Sequence, residues 1–302
     1  MAILRVILIL VLSFCLTQPA FAAAPNSTAN GADPAFGEFR LGVGALQSGD
    51  YSMAVEHFNQ VTRSNPDFAA AYSNRCLSYL NLENYLAAEI DCDRALNLNP
   101  SNIETYLNRG LAHYKSGAFA KAIADYTQVL QMKPHDYRAY YNRGLAQVEL
   151  GAYREAIVDY GQALRQVSPM ARQMQSEIYT DRGLAQMLLD NPQGAIADFT
   201  QAIQFNTEEA RAYYNRGCAH HQSGNKQAAV EDFTQVLNLN PGDGQAYVSR
   251  GLLRHELGDT GAAIADLQQA ADCFCQQGSK VAHQQILELI DKLQASARVA
   301  FG

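Results

Sequence analysis

The string AYSNRC at residues 71–76 recurs along the chain in close copies, and this recurrence predicts the fold. The copies are TYLNRG, AYYNRG, IYTDRG, AYYNRG and AYVSRG, and the arginines of the six strings are Arg75, Arg109, Arg143, Arg182, Arg216 and Arg250. Successive arginines are 34 residues apart, apart from one step of 39 residues after Arg143. A fixed period of this length is typical of a repeat protein, in which each unit buries its apolar face only against its neighbours.

Each unit predicts two helices joined by a turn. In residues 103–136 a first apolar stripe comprises Tyr106, Gly110, His113 and Tyr114, and a second comprises Phe119, Ala122, Ile123, Tyr126 and Val129. Gly117 separates the two stripes and Pro134 closes the second, as expected at helix ends. Gly110 and Ala122 have almost no side chain, so the two helices can approach closely as an antiparallel hairpin. Residues suited to capping the second helices are Asp50, Asn84, Asn191, Asn225 and Asp259.

The period divides the chain into seven repeats. Their bounds are 35–68, 69–102, 103–136, 137–170, 176–209, 210–243 and 244–277, the first being a degenerate copy. About five additional residues around 171–175 follow a Ser168-Pro169 helix-start signal, so we expect the first helix of repeat 5 to begin early. Residues 278–302 carry one apolar face, comprising Ala282, Ile286, Leu289, Ile290 and Leu293, and are predicted to form a capping helix and tail.

The N-terminus has the pattern of a secretory signal peptide. One basic residue precedes the apolar run from Val6 to Leu16, and the small residues of Ala20-Phe21-Ala22 suit a signal peptidase. We expect residues 1–22 to be removed and residues 23–34 to form a flexible leader. The alternative, a retained anchor, is disfavoured because the run is shorter than the roughly 20 residues that span a bilayer. The predicted product is exported to the periplasm or the extracellular space, with no transmembrane segment.

With these positions in register, the chain resembles tetratricopeptide repeat (TPR) proteins over 35–277. Copies such as NRGLAHYKSGAFAKAIADY at 108–126 resemble those of bacterial proteins, cyanobacterial ones among them, which adds the thylakoid lumen to the expected locations. The resemblance implies an all-α, right-handed superhelical solenoid of seven hairpins with a capping helix. It also implies a concave groove lined by the first helices, in which TPR proteins hold peptides or protein subunits. One departure is an arginine before the glycine, where many family members have an apolar residue.

The repeated arginine has a predicted partner. An aspartate follows 16 residues after each arginine, on the second helix: Asp91, Asp125, Asp159, Asp198, Asp232 and Asp266. Repeat 1 lacks both residues, having Leu41 and His57, and pairing within a repeat explains every copy. We predict a structural ion pair; the alternative is that the arginines turn outward to bind an acidic partner.

A second repeated feature predicts the binding surface. An asparagine directly precedes the arginine in four repeats, as Asn74, Asn108, Asn142 and Asn215. One amide per repeat would offer a donor and an acceptor to an extended peptide backbone. The string RAYYNRG adds Arg138, Tyr141, Arg211 and Tyr214, residue types that often anchor partners. The alternative is that the asparagines hydrogen-bond neighbouring helices.

Charge and motifs exclude several classes of function. The 302 residues carry 23 basic and 30 acidic residues, a net charge of -7, without a basic cluster, so we expect no nucleic-acid partner. No phosphate-binding glycine loop, HExxH motif or nucleophile elbow occurs, so we expect no enzymatic activity and no cofactor. His221 and His255 occupy equivalent positions and could meet at a metal ion, but polar lining is the favoured interpretation, and no metal site is predicted.

Five cysteines remain after residue 22, and two of them fall in one hairpin. Cys76 and Cys92 replace the small and the aromatic packing residue of repeat 2. Ordinary core cysteines are the favoured interpretation, with a disulfide as the alternative that export would permit.

Taken together, the repeats and the absence of catalytic motifs favour a non-catalytic interaction scaffold or assembly factor for a peptide or protein segment. A small-ligand or metal-binding protein and a structural envelope component are the alternatives.

Overall fold

A computed structural model of the chain describes residues 34–301, with side chains up to residue 295. Within this range the chain forms fifteen α-helices and no strand. None of these described helices is both long and apolar enough to cross a bilayer. The predicted signal peptide and most of the predicted leader lie outside the described residues. The chain divides after Ala152 into an N-terminal and a C-terminal unit.

The N-terminal unit contains seven helices, six of which form consecutive hairpins. They are α1 (Pro34–Gln47), α2 (Tyr51–Ser64), α3 (Ala69–Asn81), α4 (Tyr85–Leu98), α5 (Ile103–Lys115), α6 (Phe119–Met132) and α7 (Tyr137–Glu149). Helix α1 packs on α2, α3 on α4 and α5 on α6, and each second helix also contacts the next first helix. The hairpins therefore stack as the repeat period predicts.

The C-terminal unit continues the same pattern. Its helices are α8 (Tyr153–Gln166), α9 (Arg172–Leu188), α10 (Pro192–Phe205), α11 (Ala210–Gln222), α12 (Lys226–Leu239), α13 (Gly244–Glu256), α14 (Thr260–Gln276) and α15 (Lys280–Phe301). Helix α9 has 17 residues where other first helices have 13 or 14, which confirms the early start expected in repeat 5. Helix α15 buries Ile286, Ile290 and Leu293 against α13 and α14, as a capping helix should.

Polar side chains begin the second helices as predicted. The carboxylate of Asp50 accepts a 3.0 Å hydrogen bond from the backbone N–H of Met53. The other predicted caps, Asn84, Asn191, Asn225 and Asp259, accept the equivalent bond. Each bond satisfies a backbone donor that has no partner inside its own helix.

The two helices of a hairpin touch where a glycine faces an aromatic ring. A Cβ atom placed on Gly110 would lie 2.6 Å from the ring of Tyr126, closer than side chains can pack. The same close approach joins Gly42 with Phe58 and Gly183 with Phe199, and Gly217 with Phe233 is slightly less tight at 3.1 Å. The predicted role of the small residues is therefore confirmed.

Repeat 2 fills this glycine-aromatic position with a disulfide. Cys76 and Cys92 are bonded, and both are fully buried. The favoured interpretation as ordinary core cysteines is wrong. The equivalent positions face each other in repeats 1, 3, 5 and 6, so cysteines at both bring their sulfur atoms into contact.

Candidate functional site

The repeated arginine binds the aspartate of its own repeat. In repeat 2, Nε and Nη2 of Arg75 donate to the two carboxylate oxygens of Asp91, each over 2.6 Å. The same pairing occurs in Arg109–Asp125, Arg182–Asp198, Arg216–Asp232 and Arg250–Asp266. The aspartates are only 3–5% exposed. The predicted ion pair within a repeat is therefore confirmed in these five repeats.

Four of these arginines, and Arg143 as well, also reach back to the preceding repeat, a contact that was not predicted from the sequence. Nη1 of Arg216 donates over 3.1 Å to the hydroxyl of Thr200, which lies 16 residues earlier on α10. Equivalent bonds join Arg75 to Asn59, Arg109 to Asp93, Arg143 to Thr127 and Arg250 to Thr234. Arg75, Arg109, Arg216 and Arg250 thus each connect the second helices of two successive repeats. The sequence feature that could have predicted this contact is the threonine that recurs at this repeat position, as Thr127, Thr200 and Thr234.

A tyrosine covers each of these arginines. The guanidinium carbon of Arg216 lies 5.6 Å from the centre of the Tyr213 ring, and the other repeats place it 5.2–5.7 Å from the equivalent tyrosine. This separation suits a cation–π contact. The paired arginines have a carboxylate and an aromatic ring as partners, and four of the five also bind a side chain of the preceding repeat, so they are packing elements. The alternative, outward-turned arginines that bind an acidic partner, is wrong for these five pairs.

The predicted asparagines differ sharply in exposure. Asn74, Asn108 and Asn142 are 0%, 1% and 3% exposed, on α3, α5 and α7. Asn215 on α11 is half-buried, and its amide makes no hydrogen bond to any residue within 34–301. A partner could therefore reach Asn215 in this conformation, whereas the other three would require the first helices to move.

The predicted anchors of repeat 4 serve the chain itself. The guanidinium of Arg138 donates to both carboxylate oxygens of Glu104 on α5, over 3.0 and 2.9 Å, and also to Asp136. The ring of Tyr141 is 1% exposed. Arg138 thus joins α7 to α5 within the N-terminal unit, and Tyr141 is buried.

The predicted anchors of repeat 6 are paired as well, but they remain partly open. Arg211 donates over 3.0 Å to Asp181 on α9. The hydroxyl of Tyr214 lies 3.3 Å from the hydroxyl of Ser249 on α13, and its ring packs edge-on against Phe233. Burial raises the pKa of Tyr214, so its hydroxyl stays protonated and can donate.

Several side chains of α9, α11 and α13 in the C-terminal unit are partly exposed, and they include apolar and polar groups. We call this set the first-helix face; its members are Met187, Tyr214, Asn215, Cys218, His221, Leu252 and His255. Burial raises the pKa of the Cys218 thiol to about 12, so the thiol acts as a small apolar group. The face can bury apolar side chains and offers one open amide.

The two histidines considered as metal ligands take other partners. Nε2 of His221 lies 3.5 Å from Glu256, which also pairs with Lys226 at 3.0 Å. Nδ1 of His255 lies 3.2 Å from the hydroxyl of Thr260. Among the residues that the structure describes, no group of three potential ligands is arranged to hold a metal ion.

Four family models, each of a tetratricopeptide repeat, match the chain. They cover residues 39–103 and 107–171, 76–136, 210–243, and 244–272, which together exceed half of its length. The chain belongs to the tetratricopeptide repeat family. TPR proteins bind protein or peptide partners and are generally non-catalytic scaffolds, so this chain is a protein-interaction repeat protein.

Solved structures of TPR proteins are similar to this chain. A tetratricopeptide repeat protein from Parabacteroides merdae aligns with a TM-score of 0.61 at 20% identity, covering 84% of this chain and 98% of its own. MamA aligns with a TM-score of 0.53 at 25% identity, covering 56% of this chain and 96% of its own. YrrB, described as a TPR protein with an unusual peptide-binding site, aligns with a TM-score of 0.53 at 20% identity, covering 65% and 97%. Identities of 20% show the shared fold alone.

Proposed function

We propose that this TPR protein binds an extended segment of a partner protein along the first-helix face of its C-terminal unit, centred on repeat 6. The observation that carries the proposal is the half-buried amide of Asn215, which makes no hydrogen bond to residues 34–301. An amide offers one acceptor and two donor hydrogens, which matches the C=O and N–H groups of an extended backbone.

The surroundings of Asn215 support a peptide rather than a charged ligand. Cys218 and Leu252 pack against the clusters around Phe233 and Leu267 but keep some exposed apolar area, while Tyr214 has an aromatic ring and a hydroxyl that can reorient. The neighbouring cations Arg211 and Lys226 are already bound to Asp181 and Glu256. Recognition would therefore depend on backbone hydrogen bonds and apolar burial.

We assign the asparagines of repeats 2 to 4 to the packing of the first helices. Asn74, Asn108 and Asn142 are at most 3% exposed. Close to them, Arg138 pairs with Glu104, and the hydroxyl of Ser73 lies 2.7 Å from that of Thr105. This is the alternative that the sequence analysis left open for the asparagines.

Site-specific photo-crosslinking tests the location of the site. A photoreactive residue replaces Asn215 in one variant and the exposed Gln227 of α12 in a matched control. We expect the variant at position 215 to crosslink one discrete partner in the producing cells, and the variant at 227 to yield none. Equal crosslinking from both positions, or crosslinking from 227 alone, would place the interaction elsewhere.

We also propose that the protein is exported after cleavage behind Ala22. The buried Cys76–Cys92 disulfide supports this, because structural disulfides form and persist mainly in oxidising compartments. N-terminal sequencing of protein from the producing cells decides the matter. We expect the mature chain to begin at Ala23; an intact Met1 chain in the cytoplasm would refute export.

A further inference from the structure

We propose that His113 is a pH-sensitive connection between repeats 2 and 3, in which one bound proton ties α4 to α6 and its loss weakens their contact. The imidazole is 5% exposed and lies between two carboxylates of different helices. Its Nδ1 lies 3.0 Å from Oδ2 of Asp125 on α6, and its Nε2 lies 3.1 Å from Oε1 of Glu89 on α4.

The proton count of the ring decides how many of these contacts are favourable. An imidazolium carries a hydrogen on both nitrogens, whereas a neutral imidazole carries one. Deprotonated His113 would therefore turn a lone pair toward either Glu89 or Asp125. Only the protonated ring can donate to Asp125 and at the same time present a positively charged Nε2–H group to Glu89, 3.1 Å away.

The surrounding charges also favour the protonated form of His113. From α6, Nζ of Lys121 pairs with Glu89 over 2.8 Å. On α5 itself, Arg109 binds Asp125 and also Asp93 of α4. The three carboxylates thus face two permanent cations, and the imidazolium makes the cluster neutral.

Charged groups on the other helices that pack against α5 have separate partners. On α7, Arg138 binds Glu104 and Asp136, while Glu149 accepts from the Tyr114 hydroxyl. On α3, Arg75 binds Asp91. The charges that act on His113 are therefore those of α4, α5 and α6.

The direction of the pH effect follows from the environment of the ring. Burial alone would lower the pKa of His113, but the adjacent carboxylates of Asp125 and then Glu89 outweigh burial and raise the pKa. The stabilisation is fully present below the pKa of the unfolded chain, about 6.5, and is lost as the pH rises through the higher pKa of the folded state. The connection therefore strengthens in mildly acidic conditions.

The chain contains its own control for this site. His220 occupies the same position in repeat 6, but its Nε2 lies 3.9 Å from Asp232, beyond hydrogen-bond distance, and burial lowers its pKa. Repeats 4 and 5 carry Gln147 and Gln186 at this position. Glutamine is therefore compatible with the fold where His113 stands.

An NMR titration of the intact chain tests the proposal. We expect the His113 ring to titrate above pH 6.5 and the His220 ring below it, and Glu89→Gln to lower the His113 midpoint. In thermal unfolding, the melting temperature of the wild type should exceed that of His113→Gln at pH 6, and this difference should shrink toward pH 9. His220→Gln should show no such shrinking. A His113 midpoint at or below 6.5, or a difference from His113→Gln that does not change with pH, would overturn the proposal.

Discussion

Arg216 shows how one residue joins two repeats. Its guanidinium binds the carboxylate of Asp232 in its own hairpin, the hydroxyl of Thr200 in the preceding one, and the face of Tyr213. A buried guanidinium is costly unless its donors and its charge are satisfied, and these partners satisfy both. The repeated Tyr-x-x-Arg is therefore a packing unit, which accounts for its recurrence without any role in ligand binding.

Removing one member of this pair should cost more than removing both. Arg216→Met leaves a 4% exposed carboxylate without its cation, so we expect it to cost about 3 to 5 kcal/mol. Asp232→Leu should cost a similar amount, and the double variant much less than the sum of the two. A double-mutant cycle by chemical denaturation measures the coupling. Additive losses of about 0 to 1 kcal/mol each would show that the pair behaves as an exposed one.

Two glycines of α1 should respond in opposite directions to alanine. A Cβ on Gly42 would lie 2.7 Å from the Phe58 ring, so Gly42→Ala should destabilise by about 1 to 3 kcal/mol. A Cβ on Gly44 would meet no atom of the described residues within 4 Å, so Gly44→Ala should stabilise by about 0.5 to 1 kcal/mol. Thermal unfolding of both variants measures the difference; a stabilising Gly42→Ala would contradict the close helix contact.

At the scale of the hairpin, a disulfide and a glycine-aromatic contact are alternative solutions to the same packing position. Cys76 and Cys92 are separated by 16 residues, as are Gly110 and Tyr126. The disulfide also closes a loop of this length, which is expected to contribute about 3 kcal/mol by restricting the unfolded chain.

Replacing the disulfide of repeat 2 by a glycine-aromatic pair should preserve the packing only when both cysteines are changed. Cys92→Tyr alone places a ring against Cys76 and should destabilise repeat 2 by at least about 1 to 3 kcal/mol, in addition to the loss of the disulfide. Adding Cys76→Gly should recover the packing part of that loss, because it recreates the pair of repeat 3. Denaturation of the single and double variants under reducing conditions isolates the packing contribution. No recovery in the double variant would show that the repeats are not equivalent here.

The sequence predicted the hairpins, the caps and the arginine-aspartate pairs, because these depend on contacts within one repeat. It did not predict the Arg216–Thr200 bond, because an uncharged threonine is not an obvious partner for an arginine whose charge is already matched by an aspartate. It favoured free thiols for Cys76 and Cys92, although direct opposition in the hairpin brings them together. It could not foresee the burial of Asn108, because exposure there depends on how closely the next first helix packs. Contacts between repeats were thus harder to predict from the sequence than contacts within one repeat.

Across the described chain, the solvent exposure of the asparagine distinguishes repeats whose sequences are otherwise equivalent. Asn108 and Asn215 occupy the same repeat position, yet one is 1% exposed and the other is half-buried with an open amide. The repeat pattern alone would make them interchangeable. The binding proposal separates them, and alanine variants of the two provide a matched comparison.

The most direct test of the binding proposal is a titration with the partner segment identified by crosslinking at position 215. Calorimetry compares the intact wild type with Asn215→Ala and Asn108→Ala. We predict that Asn215→Ala weakens Kd about five- to tenfold, the value of one or two lost hydrogen bonds, with an unchanged melting temperature. Asn108→Ala should lower the melting temperature and leave Kd unchanged. An unaltered Kd in a stable Asn215→Ala variant, or a weakened one in Asn108→Ala alone, would contradict the assignment of the site to repeat 6.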